Sequence, residues 1–135
     1  MWEHFAHQAD IGIRGIGATL EEAFAEAAYA LMAVMCNPQK VRPLEPVSVS
    51  VQMDDRELLL AEWLNQILYE ADTRKMFFSR FEVKISGDTL SGVLWGERMD
   101  PVRHEAAVEA KAATYQMLKV AFEDGRWIAQ CVVDV

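Results

Sequence analysis

His4-Phe5-Ala6-His7-Gln8-Ala9-Asp10-Ile11-Gly12-Ile13-Arg14-Gly15 is the stretch around which the rest of the chain is organised. Trp2 to His7 and Ile11 to Ile16 read as two short strands. In the second, Ile11 and Ile13 alternate with Gly12 and Arg14, and Gly15 and Gly17 then loosen the backbone. Asp10 stands between the two apolar runs as a lone carboxylate. The chain closes on Cys131-Val132-Val133-Asp134-Val135, a second lone acid in an apolar strand, one residue from the terminal carboxylate. Isolated acids in half-buried strands are costly unless something compensates them. The reading that follows is that Asp10 and Asp134 face each other across one sheet and share a cation.

Outward from that stretch, Thr19-Leu20-Glu21-Glu22 is a capping box that starts a helix, with both acids at the positive end of its dipole. Leu20, Phe24, Ala27, Leu31 and Met35 form its apolar stripe, and Asn37-Pro38 stops it. Val47, Val49, Val51 and Met53 alternate with Ser48, Ser50 and Gln52 as a strand with one wet face. Asp54 or Asp55 caps a second helix that buries Leu60, Trp63, Leu64, Ile67, Leu68 and Ala71, turns Glu57, Glu62, Gln66 and Glu70 elsewhere, and ends near Arg74. Phe77 to Ile85 and Thr89 to Trp95 form a hairpin across Ser86-Gly87-Asp88. Gly96 to Ala113 reads as irregular, with Asp100-Pro101 as a turn. Thr114 to Phe122 and Trp127 to Val133 form a last hairpin around Glu123-Asp124-Gly125-Arg126. This order predicts one α+β domain over residues 1–135, a two-layer sandwich in which two helices pack on one face of a mostly antiparallel sheet.

With 52% apolar residues the chain can build a true core, so disorder is excluded. A formal charge of -8, from 21 acids against 13 Lys and Arg, argues against direct nucleic-acid binding, which needs clustered cations. Cys36 and Cys131 lack metal-type spacing and read as buried thiols of a reducing compartment. No signal peptide or membrane-length apolar run is visible, and the expectation is a soluble cytoplasmic protein.

The candidate chemistry rests on the acids. Alone, Asp10 is better read as a turn cap and Asp134 as a solvated strand end. Together with the terminal carboxylate of Val135 they make three negative charges with no Lys or Arg nearby in sequence. Such an all-oxygen set suits a hard divalent cation, calcium or magnesium, with manganese also admitted. His4 and His7, three apart in a strand, point to opposite faces, and a backbone-bonded structural role is favoured for each. No zinc cluster, phosphate-binding Gly-rich loop or nucleophile–base pair appears. Lys111 and Arg103-His104-Glu105 lie in the long irregular segment, where function concentrates, although a solvated or ion-paired Lys111 is the simpler account.

Several segments together resemble the archease family. These are His7-Gln8-Ala9-Asp10-Ile11-Gly12-Ile13-Arg14, Thr19-Leu20-Glu21-Glu22-Ala23-Phe24, Glu62-Trp63-Leu64-Asn65, Phe78-Ser79-Arg80-Phe81, Trp95-Gly96-Glu97, Asp100-Pro101-Val102-Arg103-His104-Glu105, Glu109-Ala110-Lys111-Ala112-Ala113-Thr114-Tyr115, and Asp134 followed by one aliphatic residue. The match runs from end to end in order. The resemblance implies a small acidic partner of an RtcB-type RNA ligase, which joins RNA ends in tRNA splicing and RNA repair with GTP and a divalent metal. It implies that the protein promotes guanylylation of the ligase and so supports multiple turnovers. It also implies a metal ion held by Asp10, Asp134 and Val135, and a part for Lys111 in activation. Gln8 departs from the family's usual Thr or Ser, and Gln116 from a common His.

Three functions therefore compete: a non-catalytic activator of an RNA ligase, a small metal-dependent phosphoester hydrolase with His7 as general base, and a chaperone-like interaction protein. The first is favoured, with a monomer or weak homo-oligomer expected.

Overall fold

A computed structural model describes the chain from Met1 to Val135. The elements run β1 (Trp2–His7), β2 (Asp10–Gly17), α1 (Leu20–Met35), a 3-10 turn (Pro38–Lys40), β3 (Glu45–Gln52), α2 (Arg56–Arg74), β4 (Met76–Ser86), β5 (Thr89–Arg98), β6 (Ala112–Ala113), β7 (Lys119–Glu123) and β8 (Arg126–Asp134). The class is α+β, as expected. The strands, however, divide between two antiparallel sheets rather than forming one. The first has the order β1-β2-β8-β6 with β7 also on β8, and the second the order β3-β5-β4. The split follows from β5, which pairs with β3 along one edge and β4 along the other, while the chain's two ends pair with each other through β2 and β8.

Both helices begin where local chemistry places them. Thr19 accepts from the Glu22 amide and Glu22 reaches back to the Ala18 amide, closing the expected capping box. Asp55, not Asp54, caps α2 by accepting from the Glu57 and Leu58 amides. Helix α1 buries more than its stripe, with Ala23, Ala28, Ala30, Met32 and Val34 also enclosed. The cause is that it packs against strands of both sheets, so little of its circumference meets water. Gly15 lets this happen, because a Cβ there would strike the main chain of Ala23 and Ala27. Trp63 of α2 is fully buried, donates its indole N–H to the Phe24 carbonyl at 3.0 Å, and lies against Gly92 of β5. Glu70 is not turned to solvent but buried, bonded to Arg74 and Gln66.

Several strand boundaries move. Residues 114–118 form a turn rather than the start of β7. The Thr114 hydroxyl donates to the Val132 carbonyl and accepts from the Gln116 amide, while Met117 takes a left-handed conformation at φ 54°. The segment read as irregular is ordered at both ends: residues 96–98 continue β5 against β4, and Ala112 and Ala113 pair with Asp134 and Val133 as β6. No helix is long and apolar enough to cross a membrane.

Candidate metal centre

The β1–β2 hairpin turns on Gln8 and Ala9, with Gln8 left-handed at φ 53°, and sets His7 directly opposite Asp10. On the other side of β2, Ile11 opposes Val133 as the last ladder pair with β8. Asp10 and Asp134 come next on the two strands. By alternation they share the face of Gly12 and Val132, opposite the face on which α1 packs. Beyond Asp134 the chain folds against Asp10, whose Oδ1 accepts from the Val135 amide at 3.4 Å. From the other edge of β8, the Lys111 amide donates to the Asp134 carbonyl at 2.7 Å. Asp10, Lys111, Asp134 and Val135 thus meet at one end of the first sheet.

Asp10 and Val135 are half-buried, but Asp134 is exposed, so desolvation bears on the second acid less than the sequence pattern suggests. The Lys111 side chain is exposed and makes no ion pair, and only its main chain is tied to the site. The nearest cation along β2 is Arg14, four residues from Asp10. At ~3.3 Å per residue it stands ~13 Å away, beyond a Debye length of ~8–10 Å. It is also engaged elsewhere, with Glu3 at 2.5 Å, Gln130 at 2.8 Å and the Phe5 ring at 4.6 Å. Neither Asp10 nor Asp134 takes part in an ion pair.

No group of three or more His, Cys, Asp or Glu side chains anywhere in the molecule is placed to hold a metal ion. The donors at this corner are two aspartates and a main-chain carboxylate, so any ion there keeps open positions. Oxygen donors of that charge fit a hard divalent cation. His7 Nδ1 is the only buried side-chain nitrogen or oxygen in the chain without a hydrogen-bond partner.

The two histidines of β1 therefore part company. His4 is backbone-bonded as expected, its Nε2 2.8 Å from the Ala30 carbonyl. His7 makes no such bond, and it lies on the acid face. The strands read from sequence leave Gln8, Ala9 and Asp10 between them; the structure starts β2 at Asp10, and the resulting two-residue turn places His7 across from Asp10.

His104, by contrast, belongs to the fold. It is fully buried; its Nδ1 accepts from the Asp100 amide at 3.0 Å, so Nε2 carries the proton and donates to Glu97 at 2.9 Å. Glu97 also accepts from the Arg42 amide at 2.7 Å and pairs with Arg103 at 2.8 Å. Burial opposes its charge, but the Arg42 amide, His104 and Arg103 together hold its carboxyl down to about 2. Cys36 and Cys131 are free thiols that burial pushes up to about 12, which leaves them unreactive.

The Archease protein family matches residues 2–135. A protein archease of Pyrococcus abyssi is 45% identical over 139 residues, covering 99% of this chain and 98% of that protein. The solution structure of a Methanobacterium thermoautotrophicum protein is superposable with TM-score 0.85 and 35% identity, over 99% of this chain and 98% of the other. The crystal structure of a Thermotoga maritima archease, described there as a possible chaperone, shares the fold at TM-score 0.66 and 20% identity, over 100% of this chain and 98% of the other.

Proposed function

The chain belongs to the archease family, and on that premise we propose that it is a non-catalytic activator of an RtcB-type RNA ligase. It acts in the cytoplasm, as a monomer or weak homo-oligomer, in tRNA splicing or RNA repair. The observation that carries this reading is the meeting of Asp10, Lys111, Asp134 and Val135, from widely separated parts of the chain, at one end of a sheet. Asp10, Asp134 and the terminal carboxylate would hold a calcium, magnesium or manganese ion. Such an ion supplies positive charge for the phosphates of a guanine nucleotide. The exposed Lys111 ammonium beside it would contact those phosphates or the ligase. The charge of -8 suits docking on a basic, RNA-handling partner without binding RNA directly.

The test is multiple-turnover RNA ligation by a purified RtcB-type ligase with GTP and manganese. Wild-type protein is expected to raise turnover beyond one round, and folded Asp10→Ala and Asp134→Ala are expected to lose that stimulation. Full stimulation by either folded variant overturns the reading. A second reading, a metal-dependent phosphoester hydrolase, is favoured by one observation, the position of His7 opposite Asp10 on the acid face. It requires phosphoester turnover by this protein alone. A chaperone-like role requires indifference to both aspartate substitutions.

A further inference from the structure

We propose that the free edge of β3 is a docking edge that takes an extended, basic segment of a protein partner as an added strand, with the partner's Lys or Arg side chains set against Asp54, Asp55 and Asp88. The edge belongs to the second sheet, so the inference stands apart from the metal corner. β3 pairs on one side only, with β5, in an unbroken register from Glu45 opposite Gly96 to Gln52 opposite Thr89. The Met53 amide donates to the Asp88 carbonyl, which fixes the phase of the strand. By alternation the main chains of Val47, Val49 and Val51 turn toward β5, and those of Ser48, Ser50 and Gln52 turn away from it. These last three residues are exposed, and no turn or loop bonds to their main chain. The edge thus presents outward amides and carbonyls at every second residue, and it stops at Pro46, which has no amide to offer.

Every other sheet edge in the molecule is guarded. β4 carries Arg80, Glu82 and Lys84 and a register shift between Phe78 and Arg80. β7 carries Lys119 and Glu123, and its Val120 amide is bonded to the Glu57 carboxylate. β1 carries Glu3, His4 and His7, and β6 is only two residues long. Charges, bulges and shortness are the usual means by which a sheet refuses an added strand. From Val47 to Gln52, β3 has none of them. Charge then selects the occupant. At its Gln52 end the edge runs into exposed Asp54 and Asp55, and Asp88 accepts from the Gln52 side-chain amide. None of these three acids is in an ion pair. Arg56 is turned to the Trp127 ring, Lys84 stands two strands away, and Arg42 lies beyond the opposite end. A second copy fits less well. Antiparallel pairing of two β3 strands about Ser50 would use all the outward amides of each, but it would set Glu45 opposite Asp55 at both ends, and like charges directly opposite repel. A basic segment makes the same main-chain bonds and turns that repulsion into attraction.

Nitrogen-15 NMR of the full chain, titrated with a short blocked peptide of alternating threonine and valine headed by arginines, tests this. A counterpart headed by glutamates is the control. The expected result is a shift of the Ser48, Ser50 and Gln52 amide resonances and slowed hydrogen exchange at those amides, with the glutamate peptide about tenfold or more weaker. Ser50→Pro removes an outward amide but no internal bond and should abolish the response, whereas Ser50→Thr should keep it. A full response in folded Ser50→Pro, shifts confined to other residues, or no shift at all overturns the docking edge. Equal binding of the two peptides overturns the basic occupant. So does protection of the same amides that rises with protein concentration in the absence of peptide, which would make the occupant a second copy. If Ser50→Pro proves unfolded, the wild-type pattern decides, since it is read residue by residue.

Discussion

Replacing Glu97 with Gln should destabilise the protein at neutral pH and matter progressively less as pH falls. The carboxylate of Glu97, at the end of β5, ties two other segments to its own strand: the Arg42 amide after the 3-10 turn, and the turn that carries the adjacent Arg103 guanidinium and buried His104 ring. Its carboxyl is lowered from an ordinary 4.5 to about 2. Counted in full, that shift contributes roughly 3 kcal/mol above pH 4.5. Solvent screening at the open side of the pair with Arg103 brings the figure to about 1–2 kcal/mol. Because the folded-state value is the lower one, this stability is complete above 4.5 and is lost as pH falls from 4.5 toward 2. Gln keeps one acceptor but neither the charge nor the second strong acceptor. Urea unfolding with an m-value of about 1.5 kcal/mol/M should then show Glu97→Gln with a midpoint about 1 M lower than wild type at pH 7. The gap should close steadily between pH 4.5 and pH 3. A gap of the same size at pH 7 and pH 3 would refute the argument, since it would show a packing defect rather than a lost charge. The consequence reaches the metal corner. His104 also accepts the Asn37 amide on its carbonyl, and the Ala107 amide donates to Met35, so this anchor fixes the segment that delivers Lys111 to Asp134.

Lys111→Ala should leave stability within about 0.5 kcal/mol of wild type in thermal unfolding, as expected for an exposed side chain with no partner, while abolishing ligase stimulation. A loss of stability as large as that of Glu97→Gln would show that the lysine is structural. Extending the chain beyond Val135 by a short Gly-Ser tail converts the terminal carboxylate to an amide. The rise in melting temperature that a divalent ion confers on wild type should shrink or vanish in the extended protein, with the metal-free melting temperature unchanged. An undiminished rise would remove Val135 from the ligand set.

What the sequence disclosed, and what it withheld, follow one division. Caps, turns and strand alternation depend on near neighbours, and Thr19, Asp55, Gly87 and the Asp124-Gly125 turn stand where local chemistry puts them. Pairing partners depend on the whole chain, so the division into two sheets was hidden, as was the enclosure of α1 from both sides. Residues 114–118 misled because Thr114 offers its hydroxyl to the backbone and bends a stretch whose composition suits a strand. Asp10 and Asp134 drew notice because each interrupts an apolar run. The exposure of Asp134 agrees with its simpler reading as a solvated strand end and not with the half-buried pair of acids, since a strand's last residue is open however apolar its predecessors. Glu97 and His104 looked like loop polarity because the bonds that allow their burial come from Arg42, Asp100 and Arg103, which periodicity does not register.

Register is what joins the fold to the candidate site. Asp10 and Asp134 share a face only because Ile11 pairs with Val133 and Ile13 with Cys131. A slip of one residue in either strand would turn its acid inward beneath α1 and expose Ile13 or Cys131, both fully buried. The core therefore enforces the alignment that the site needs, with a penalty far larger than the acids could exert. The close packing of Gly15 against Ala23 and Ala27 holds β2 from the helix side, and Phe5 covers Gly12 from the other, where a Cβ would strike its ring. The corner is built from residues 125 positions apart in sequence, so it exists only when both ends of the chain have joined the same sheet. An unfolded or misregistered chain carries the same acids and offers no such site, which makes divalent-ion binding a readout of the native register as well as of the ligands themselves.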